Sequence, residues 1–256
     1  HQMCGIFGAV DFDYGVPFEQ KSVEIQKTFS LLKNRGPDDT GYWADEQCFL
    51  GHTRLSIVDT SSAGRQPMLS SCGRYVGVFN GEIYNFKEVR DRIDSKVQWR
   101  SSSDTEVLLE AWKQFGSNCL KFLDGMFAFA IWDRSNRTLT LGRDIFGEKP
   151  LYYLLQNTRI HFCSRPSPIF TFQSQTLPKL NKKSVGVFLQ TGYFPADRTV
   201  YDNVKKLCAG SVLEFSGGET KVKKYWDFAS IETSVELNNS KESDLVGELD
   251  TMLHRS

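Results

Sequence analysis

A cysteine near the start of the chain is the first residue whose setting could support catalysis. Cys4 heads a run of small and apolar residues, Gly5 to Val10, that predicts a short β-strand. Removal of the residues before it would give Cys4 a thiol and a free α-amine together. A terminal amine has a pKa of roughly 7.7–8.0 and can accept the thiol proton. The alternative is a small buried hydrophobic residue in an ordinary first strand, as most free cysteines are.

Two polar positions on predicted strands could complete such a site. Arg54 lies in an extended stretch over 50–58, where its guanidinium could hold a carboxylate through two hydrogen bonds; a lone arginine there is otherwise exposed or ion-paired. Asn80 and Gly81 follow the apolar run 75–79. The side-chain amide and an unobstructed glycine N–H are the components of an oxyanion hole. The same dipeptide is also a strong hairpin-turn signal, so a plain turn is the alternative.

An acidic residue stands where a helix is predicted to begin. Asp104 follows three serines and precedes an apolar face formed by Val107, Leu108, Ala111 and Trp112. Its carboxylate could receive the ammonium group of an amino-acid substrate. It could equally be a first-turn acid that interacts with the helix dipole, without any functional role.

The composition excludes several classes of protein. Lys+Arg and Asp+Glu both number 31, so the formal net charge is zero and no basic stripe is available for nucleic acid or a membrane surface. No apolar run reaches the roughly 18 residues of a membrane span. The six cysteines have no CxxC spacing and no accompanying pair of histidines. We therefore expect no nucleic acid, membrane or metal partner, reduced thiols and a cytoplasmic location.

The remaining pattern predicts an α+β chain. A helix is predicted after Pro17, with Ile25, Phe29 and Leu32 on one face. From Met126 onward the pattern predicts strands separated by polar breaks. Ser216-Gly217-Gly218 is interpreted as a hairpin turn, and a last amphipathic helix is predicted from Asn239. The predicted strands after Met126 are 126–133, 138–143, 151–155, 159–164, 212–215 and 221–226.

Nine short motifs follow one another along residues 4–228. They are CGIFG at 4–8, RGPDDTG at 35–41, HTRLSIVD at 52–59, QPM at 66–68, NGEIYN at 80–85, SDTEV at 103–107, GMFAFAIWD at 125–133, RDIFGEKPLYY at 143–153 and YW at 225–226. In this order they resemble the glutaminase domain of class II glutamine amidotransferases. The RLSIVD and NGEIYN forms are similar to those of the glutamine-hydrolysing asparagine synthetases.

The resemblance implies a fold and a catalytic set. The implied fold is an N-terminal-nucleophile hydrolase, an α+β four-layer αββα sandwich of two antiparallel sheets. Cys4 would attack the side-chain amide of glutamine and form a glutamyl thioester, with its own α-amine as the base. The Asn80 amide and the Gly81 N–H would hold the oxyanion. This scheme needs no catalytic histidine.

The same resemblance implies how L-glutamine is held. Arg54 would bind the α-carboxylate, and Asp104 together with the backbone of Glu82 would bind the α-amine. The residues implied to line the pocket beside Arg54 are Leu55, Ser56, Ile57 and Val58.

The resemblance also implies a division of the chain. We expect residues 1–3 to be a tag remnant with the initiator Met, residues 4–228 to be the glutaminase domain, and 229–256 to be a linker and the start of a truncated synthetase domain. The ATP-binding loop of such a domain is absent, since Ser216–Thr220 lacks its aspartate. ATP and Mg are expected only for the missing domain, with no cofactor in this fragment. The expected partner is the C-terminal synthetase domain of the same protein, and a homodimer is left open.

Three functional hypotheses follow from these residues. The leading one is a glutaminase that supplies ammonia to an asparagine synthetase domain, with little or no activity until Cys4 becomes N-terminal. The second is a glutamine-binding module without turnover. The third is the same glutaminase serving another acceptor, such as a sugar acid. The segment Arg165–Pro168 departs from the family pattern and leaves the third hypothesis open.

Overall fold

The candidate residues are carried by two antiparallel six-stranded sheets. The structure is a computed structural model that describes residues 3–13, 17–56, 59–173, 178–230 and 241–255. Its strands are β1 Gly5–Asp11, β2 Asp39–Ala44, β3 Cys48–Arg54, β4 Met68–Leu69, β5 Tyr75–Ile83, β6 Gly125–Asp133, β7 Thr138–Arg143, β8 Tyr152–Gln156, β9 Arg159–Cys163, β10 Val204–Lys206, β11 Ser211–Ser216 and β12 Glu219–Lys224. Sheet A has the order β10-β8-β9-β1-β3-β2, and sheet B has the order β12-β11-β7-β6-β5-β4.

Side chains alternate along each strand, so that successive residues face opposite sides of the sheet. In β1, Ile6 and Val10 belong to the apolar core that joins sheet A to sheet B, whereas Phe7 and Ala9 point to the opposite side of sheet A. Successive strand side chains face opposite ways, so a strand that is apolar throughout can be buried on both sides. All seven residues of β1 are buried. The strand that begins next to Cys4 is therefore held rigidly from both faces.

Helices cover the outer side of each sheet. Helix α1, Ser22–Leu32, buries Ile25, Phe29 and Leu32 in the cluster outside sheet A. Helix α3, Asp104–Phe115, buries its apolar face outside sheet B. The other helices are α2 Phe86–Asp91, α4 Ser167–Gln173, α5 Lys182–Thr191 and α6 Glu242–Arg255, with short 3₁₀ segments at 18–21, 62–64, 116–122 and 228–230. This layering confirms the predicted αββα sandwich of two antiparallel sheets.

Most predicted elements are found within one or two residues of their expected ends. One interpretation is wrong: β5 does not break at Asn80-Gly81 but continues to Ile83. The reason is that β6 supplies a partner for every residue of β5, including Ala128 opposite Asn80 and Phe127 opposite Gly81. The extended stretch predicted over 50–58 ends at Arg54, and residues 57–58 lie outside the described ones. The elements without a sequence-based prediction are strands β2, β4 and β10 and helices α2, α4 and α5.

The chain divides into two compact units, His1–Tyr225 and Trp226–Ser256. The first contains both sheets. The second contains a short 3₁₀ turn at Phe228–Ser230 and helix α6, which confirms the predicted final helix; its predicted start at Asn239 lies outside the described residues. Among the helices described, none is both long and apolar enough to cross a membrane.

Candidate active site

Cys4 lies immediately before β1 and is held by backbone contacts. Leu55 N–H donates to Cys4 Sγ at 3.4 Å, and the thiol can in turn donate to the Leu55 carbonyl at 3.5 Å. Arg35 Nε donates to the Cys4 carbonyl oxygen at 3.0 Å. Burial raises the pKa of the Cys4 thiol, while the Leu55 N–H and the charges of Arg54 and Arg35 act in the opposite direction. A nucleophile of this kind needs a base to remove its proton at neutral pH.

The edge of β5 next to Cys4 offers a row of backbone donors. In an antiparallel sheet the N–H and C=O of one residue point to the same neighbouring strand. Both backbone groups of Phe127 are engaged by Asp144, because Asp144 N donates to Phe127 O and Phe127 N donates to the Asp144 carboxylate. The backbone N–H and C=O of Phe127 therefore point toward β7 and not toward β5. Gly81 lies opposite Phe127, so its own N–H points away from β6.

The donors on either side of Gly81 are occupied. Phe79 N–H donates to Gln66 Oε1 at 2.6 Å, and Ile83 N–H donates to Asp104 Oδ2 at 3.0 Å. Strand β4 pairs only with Val76 and Gly77, so it ends before it reaches this part of the edge. Within the described residues the Gly81 N–H has no such acceptor. The Gly81 N–H can therefore donate to a ligand, whereas the N–H groups of Phe79 and Ile83 on either side of it already have acceptors.

The Asn80 side chain is a second available donor. It is 1% exposed, and neither Nδ2 nor Oδ1 has a hydrogen-bond partner among the described residues. Leaving a buried amide unpaired costs roughly 1–3 kcal/mol, so such groups in native folds call for an explanation. Both Asn80 and Gly81 line the same pocket as Cys4. This arrangement fits the stabilisation of an oxyanion formed on a carbonyl attacked by the thiol.

Gly81 is also required by the close approach of β6. A Cβ atom at position 81 would lie 2.1 Å from the carbonyl oxygen of Met126 and 2.6 Å from the Cα of Phe127. Both of these are backbone atoms of a central strand and cannot move aside. A residue with a side chain would therefore displace the edge that carries the free N–H.

Arg54, at the end of β3, is 7% exposed and lines the pocket. Its Nη1 donates to the Ser61 carbonyl at 2.9 Å, and its Nη2 donates to the Asp59 carbonyl. These contacts fix the plane of the guanidinium, and the Nε–H has no hydrogen-bond acceptor among the described residues. An arginine held in this way presents its positive charge to the pocket in one orientation.

Asp104 is the first residue of α3, with Ser103 as the N-cap, and is 4% exposed. Burial raises its pKa to about 6, although the backbone N–H groups of Ile83, Thr105 and Asp104 itself favour the charged form. The nearby charge of Glu82 also raises the pKa. A carboxylate so strongly desolvated is suited to bind a cation that replaces its lost water.

The structure brings the predicted residues together in one pocket. Cys4, Arg54, Leu55, Ser56, Asn80, Gly81, Glu82 and Asp104 all line it. Ile57 and Val58, also predicted, lie outside the described residues. The described lining contains no histidine, and His52 and His161 are buried elsewhere with pKa values that burial lowers to about 3. Among the described residues, no three His, Cys, Asp or Glu side chains are grouped so as to hold a metal ion.

Three lining or supporting residues were not singled out from the sequence. Gln66 and Lys149 line the pocket, and Arg35 holds the Cys4 carbonyl. Each lies within one of the motifs at 35–41, 66–68 and 143–153. Their position inside those motifs is the sequence feature that could have marked them as candidate site residues. Their roles depend on loops whose paths the sequence pattern does not predict.

Comparison with known families gives a match over most of the chain. Residues 3–226 match the family described as the glutamine amidotransferase domain. The chain is 32% identical over 235 residues to glutamine-hydrolysing asparagine synthetase 1 of Bacillus subtilis, covering 90% of this chain and 37% of that protein. It is 31% identical to a putative glutamine-hydrolysing asparagine synthetase 2 of Methanocaldococcus jannaschii, covering 88% of this chain and 46% of that one. The chain thus spans less than half the length of these curated relatives.

A solved structure shares the fold. The glutamine phosphoribosylpyrophosphate amidotransferase from B. subtilis, complexed with ADP and GMP, superposes with a TM-score of 0.62 at 17% sequence identity. The match covers 87% of this chain and 49% of that one. At this level of identity the similarity concerns the arrangement of sheets and helices alone.

Proposed function

The chain belongs to the glutamine amidotransferase domain family, and from this premise we propose that it hydrolyses the side-chain amide of L-glutamine through a thioester on Cys4. The observation that carries the proposal is that the Cys4 thiol lies in the same pocket as two hydrogen-bond donors that have no acceptor among the described residues. Cys4 Sγ shares its pocket with the unpartnered Asn80 amide and with the Gly81 N–H on the open edge of β5. A nucleophile next to an empty oxyanion site is the minimum requirement for acyl transfer.

The first step of the proposed reaction releases ammonia. The α-amine of Cys4, freed by removal of residues 1–3, takes the thiol proton, and Sγ forms a bond to the side-chain carbonyl carbon of glutamine. The Asn80 amide and the Gly81 N–H donate to the oxyanion of the tetrahedral intermediate. When the C–N bond breaks, the protonated α-amine returns the proton to the departing nitrogen, so that ammonia leaves and a γ-glutamyl thioester remains.

The second step regenerates the enzyme. The α-amine takes a proton from water, and the resulting hydroxide attacks the thioester carbonyl in the same oxyanion site. The C–S bond breaks, the thiolate regains the proton, and glutamate is released. No metal or organic cofactor is needed for either step as proposed.

Recognition of glutamine is assigned to the walls of the pocket. Arg54 receives the α-carboxylate through the part of its guanidinium that faces away from the Asp59 and Ser61 carbonyls. The α-ammonium goes to the Asp104 carboxylate and the backbone of Glu82. The apolar and hydroxyl surface beside Arg54 is assigned to Leu55, Ser56, Ile57 and Val58.

The ammonia acceptor is proposed from the relatives. Those named as glutamine-hydrolysing asparagine synthetases are more than twice as long as the matched part of this chain. We propose that the chain supplies ammonia to an asparagine synthetase domain that lies C-terminal to it in the same protein. ATP and Mg would be required by that domain.

Ammonia release from glutamine tests the proposal. The chain would be expressed from Met3, so that removal of the initiator exposes Cys4, and the new N-terminus would be verified by mass spectrometry. We expect saturable release of ammonia, and a γ-glutamyl adduct on the Cys4 peptide after rapid acid quench. Cys4→Ala should bind glutamine but release ammonia at less than roughly a thousandth of the parent rate.

A matched variant controls for the other thiols. Cys72 is exposed and lies outside the pocket, so Cys72→Ala should keep the parent rate. Glutamine binding without any turnover in the processed parent would instead identify a binding module. Turnover that survives in Cys4→Ala would contradict the thioester mechanism.

A further inference from the structure

Lys149 is a buried cation in the pocket that the proposed reaction leaves without a role. It is 7% exposed and lines the pocket together with Cys4. Within the described residues, its ammonium makes one hydrogen bond, from Nζ to the Met3 thioether sulfur at 3.2 Å, and no carboxylate lies within salt-bridge distance of it. A thioether is a weak acceptor. A buried charge that is neither paired nor fully hydrogen-bonded is costly and therefore indicates a function.

The backbone around Lys149 is fixed by its neighbours. The Asp144 carboxylate accepts hydrogen bonds from the backbone N–H groups of Phe146, Glu148 and Lys149 at 2.9–3.1 Å. The Arg143 guanidinium donates to the Lys149 carbonyl at 2.7 Å. Both Arg143 and Asp144 are buried. The loop therefore holds the start of the lysine side chain rigidly and directs it into the pocket.

Maturation removes the partner that this ammonium has among the described residues. Met3 precedes Cys4, so the amine that appears on Cys4 replaces the peptide bond that joined it to Met3. The Met3 sulfur is five covalent bonds from the Cys4 nitrogen, which places Lys149 Nζ within roughly 10 Å of that nitrogen. After maturation the ammonium and the amine face the same space without the Met3 side chain between them.

We propose that Lys149 keeps the amine–thiol pair of mature Cys4 deprotonated at neutral pH by placing a fixed positive charge in its cavity. A cation near the pair disfavours protonation of the amine and favours ionisation of the thiol. Both effects provide more of the base and of the nucleophile that glutamine hydrolysis requires. Lys149 is a positioning residue in this role, since it acts through Cys4 and not on the substrate.

The charges of Arg35 and Arg54 also favour ionisation of the Cys4 thiol, so Lys149 adds to their effect. Arg54 is assigned to the substrate carboxylate, which offsets its charge when glutamine is bound, whereas Lys149 has no assigned substrate partner. The acids act in the opposite direction because a negative charge favours protonation of Cys4. The charged groups that face Cys4 or line its pocket are Arg35, Arg54, Asp59, Glu82, Asp104 and Lys149.

The inference rests on the proposed function, and two measurements distinguish a failure of the inference from a failure of the proposed function. The first is the pH profile of kcat/KM for ammonia release from glutamine. The second is the pH profile of Cys4 alkylation by iodoacetamide, followed on the Cys4 peptide by mass spectrometry, which requires no turnover. Both would be measured on the processed parent and on Lys149→Met, Lys149→Arg and Lys221→Met, the last being an exposed lysine on β12.

We expect Lys149→Met to move the acid limb of both profiles to higher pH by about one unit, a size typical of one charge at this distance. At pH 6.5 this is roughly a tenfold loss of kcat/KM, with little loss at pH 9. Lys149→Arg and Lys221→Met should retain the parent profiles. If Lys149→Met does not fold, as judged by thermal unfolding, Lys149→Gln takes its place with the same expectation.

Two results would overturn the inference. Unchanged profiles in the neutral variants would show that the charge does not act on Cys4. An equal loss at every pH would show that Lys149 contributes only to packing or to glutamine binding. Absence of ammonia release from the processed parent would contradict the proposed function, and the alkylation profile would still decide the role of Lys149.

Discussion

The Sγ atom of Cys4 lies between the two backbone groups of Leu55, 3.4 Å from its nitrogen and 3.5 Å from its carbonyl oxygen. The carbonyl can accept from the thiol, and the N–H can donate to the thiolate, so one residue satisfies both protonation states. Leu55 directly follows Arg54, which faces the same pocket. The nucleophile and the proposed carboxylate anchor are therefore fixed to each other through one peptide unit.

The residues before Cys4 should control activity. With Met3 attached, the Cys4 nitrogen is an amide that cannot accept a proton, and Met3 lines the pocket with its sulfur against Lys149 Nζ. We expect the chain with residues 1–3 intact to release ammonia at least about 100-fold more slowly than the processed chain, the size of a lost general base. Ammonia assays on the two forms, each verified by mass spectrometry, provide the check. Equal rates would contradict the role of the amine.

Asn80→Ala should lower kcat without weakening glutamine binding. The amide is proposed to bind the oxyanion, which exists only during reaction, so kcat should fall by roughly 10²–10³ and KM should change by less than about threefold. Because the native amide is buried and has no hydrogen-bond partner in the part of the chain that the structure describes, its removal should cost little stability. Steady-state kinetics and thermal unfolding together test both points. A rise in KM with an unchanged kcat would assign Asn80 to ground-state binding instead.

Arg54→Lys should weaken glutamine binding. Lysine keeps the charge but cannot donate to the Asp59 and Ser61 carbonyls and to a carboxylate from one planar group. We expect KM for glutamine to rise roughly 10- to 100-fold with a smaller change in kcat, corresponding to about 1.4–3 kcal/mol of lost binding. The matched control is Arg65→Lys, since Arg65 is exposed and pairs with Asp39. An unchanged KM in Arg54→Lys would be the contrary result.

Asp104→Asn should stabilise the fold at neutral pH and lose glutamine binding. Burial raises the pKa of Asp104 from 3.8 to about 6, so the folded state loses stability relative to the unfolded chain as pH rises from about 4 to about 6. Asparagine carries no such penalty. The variant should therefore gain up to about 3 kcal/mol in unfolding free energy at pH 7 and almost nothing at pH 4.

Denaturant unfolding at the two pH values measures the effect of Asp104→Asn, with Asp94→Asn as an exposed control. Calorimetric titration with glutamine on the same samples measures the loss of binding. A gain of equal size at both pH values would attribute the effect to packing and not to the carboxylate. A protein that is both more stable and unable to bind would show that the buried acid is kept for the ligand.

Sequence patterns predict the layers of this fold because its strands and helices are strongly periodic. Ile25, Phe29 and Leu32 define the buried face of α1, and the alternation in β1 separates its two sides. The pattern is least informative at Asn80-Gly81, where local turn propensity is overridden by pairing with β6. Strand β2 is missed because it is an edge strand, and its sequence, DTGYWA, mixes polar and aromatic residues without a fully buried face.

In the candidate site, too, some residues could be predicted from the sequence and others could not. Cys4, Arg54, Asn80, Gly81 and Asp104 could be proposed from motifs because each type carries a recognisable chemistry. Lys149 could not, since a lysine in a polar loop is ordinarily solvated. Its burial depends on the path of its loop, which is fixed by hydrogen bonds with the side chains of Arg143 and Asp144 and becomes apparent only once the chain is folded.

The short β4 strand has a consequence for inhibition. Because β4 begins only at Met68, which lies opposite Gly77, the edge of β5 beyond Gly77 has no neighbouring strand among the described residues, and the side chains of Gln66 and Asp104 accept hydrogen bonds from it on both sides of Gly81. Open strand edges readily accept extended peptides by β-addition. A compound with the shape of a short strand, its carbonyl opposite the Gly81 N–H, would complete the sheet. The vacant strand position thus provides a template for inhibitors that do not imitate glutamine.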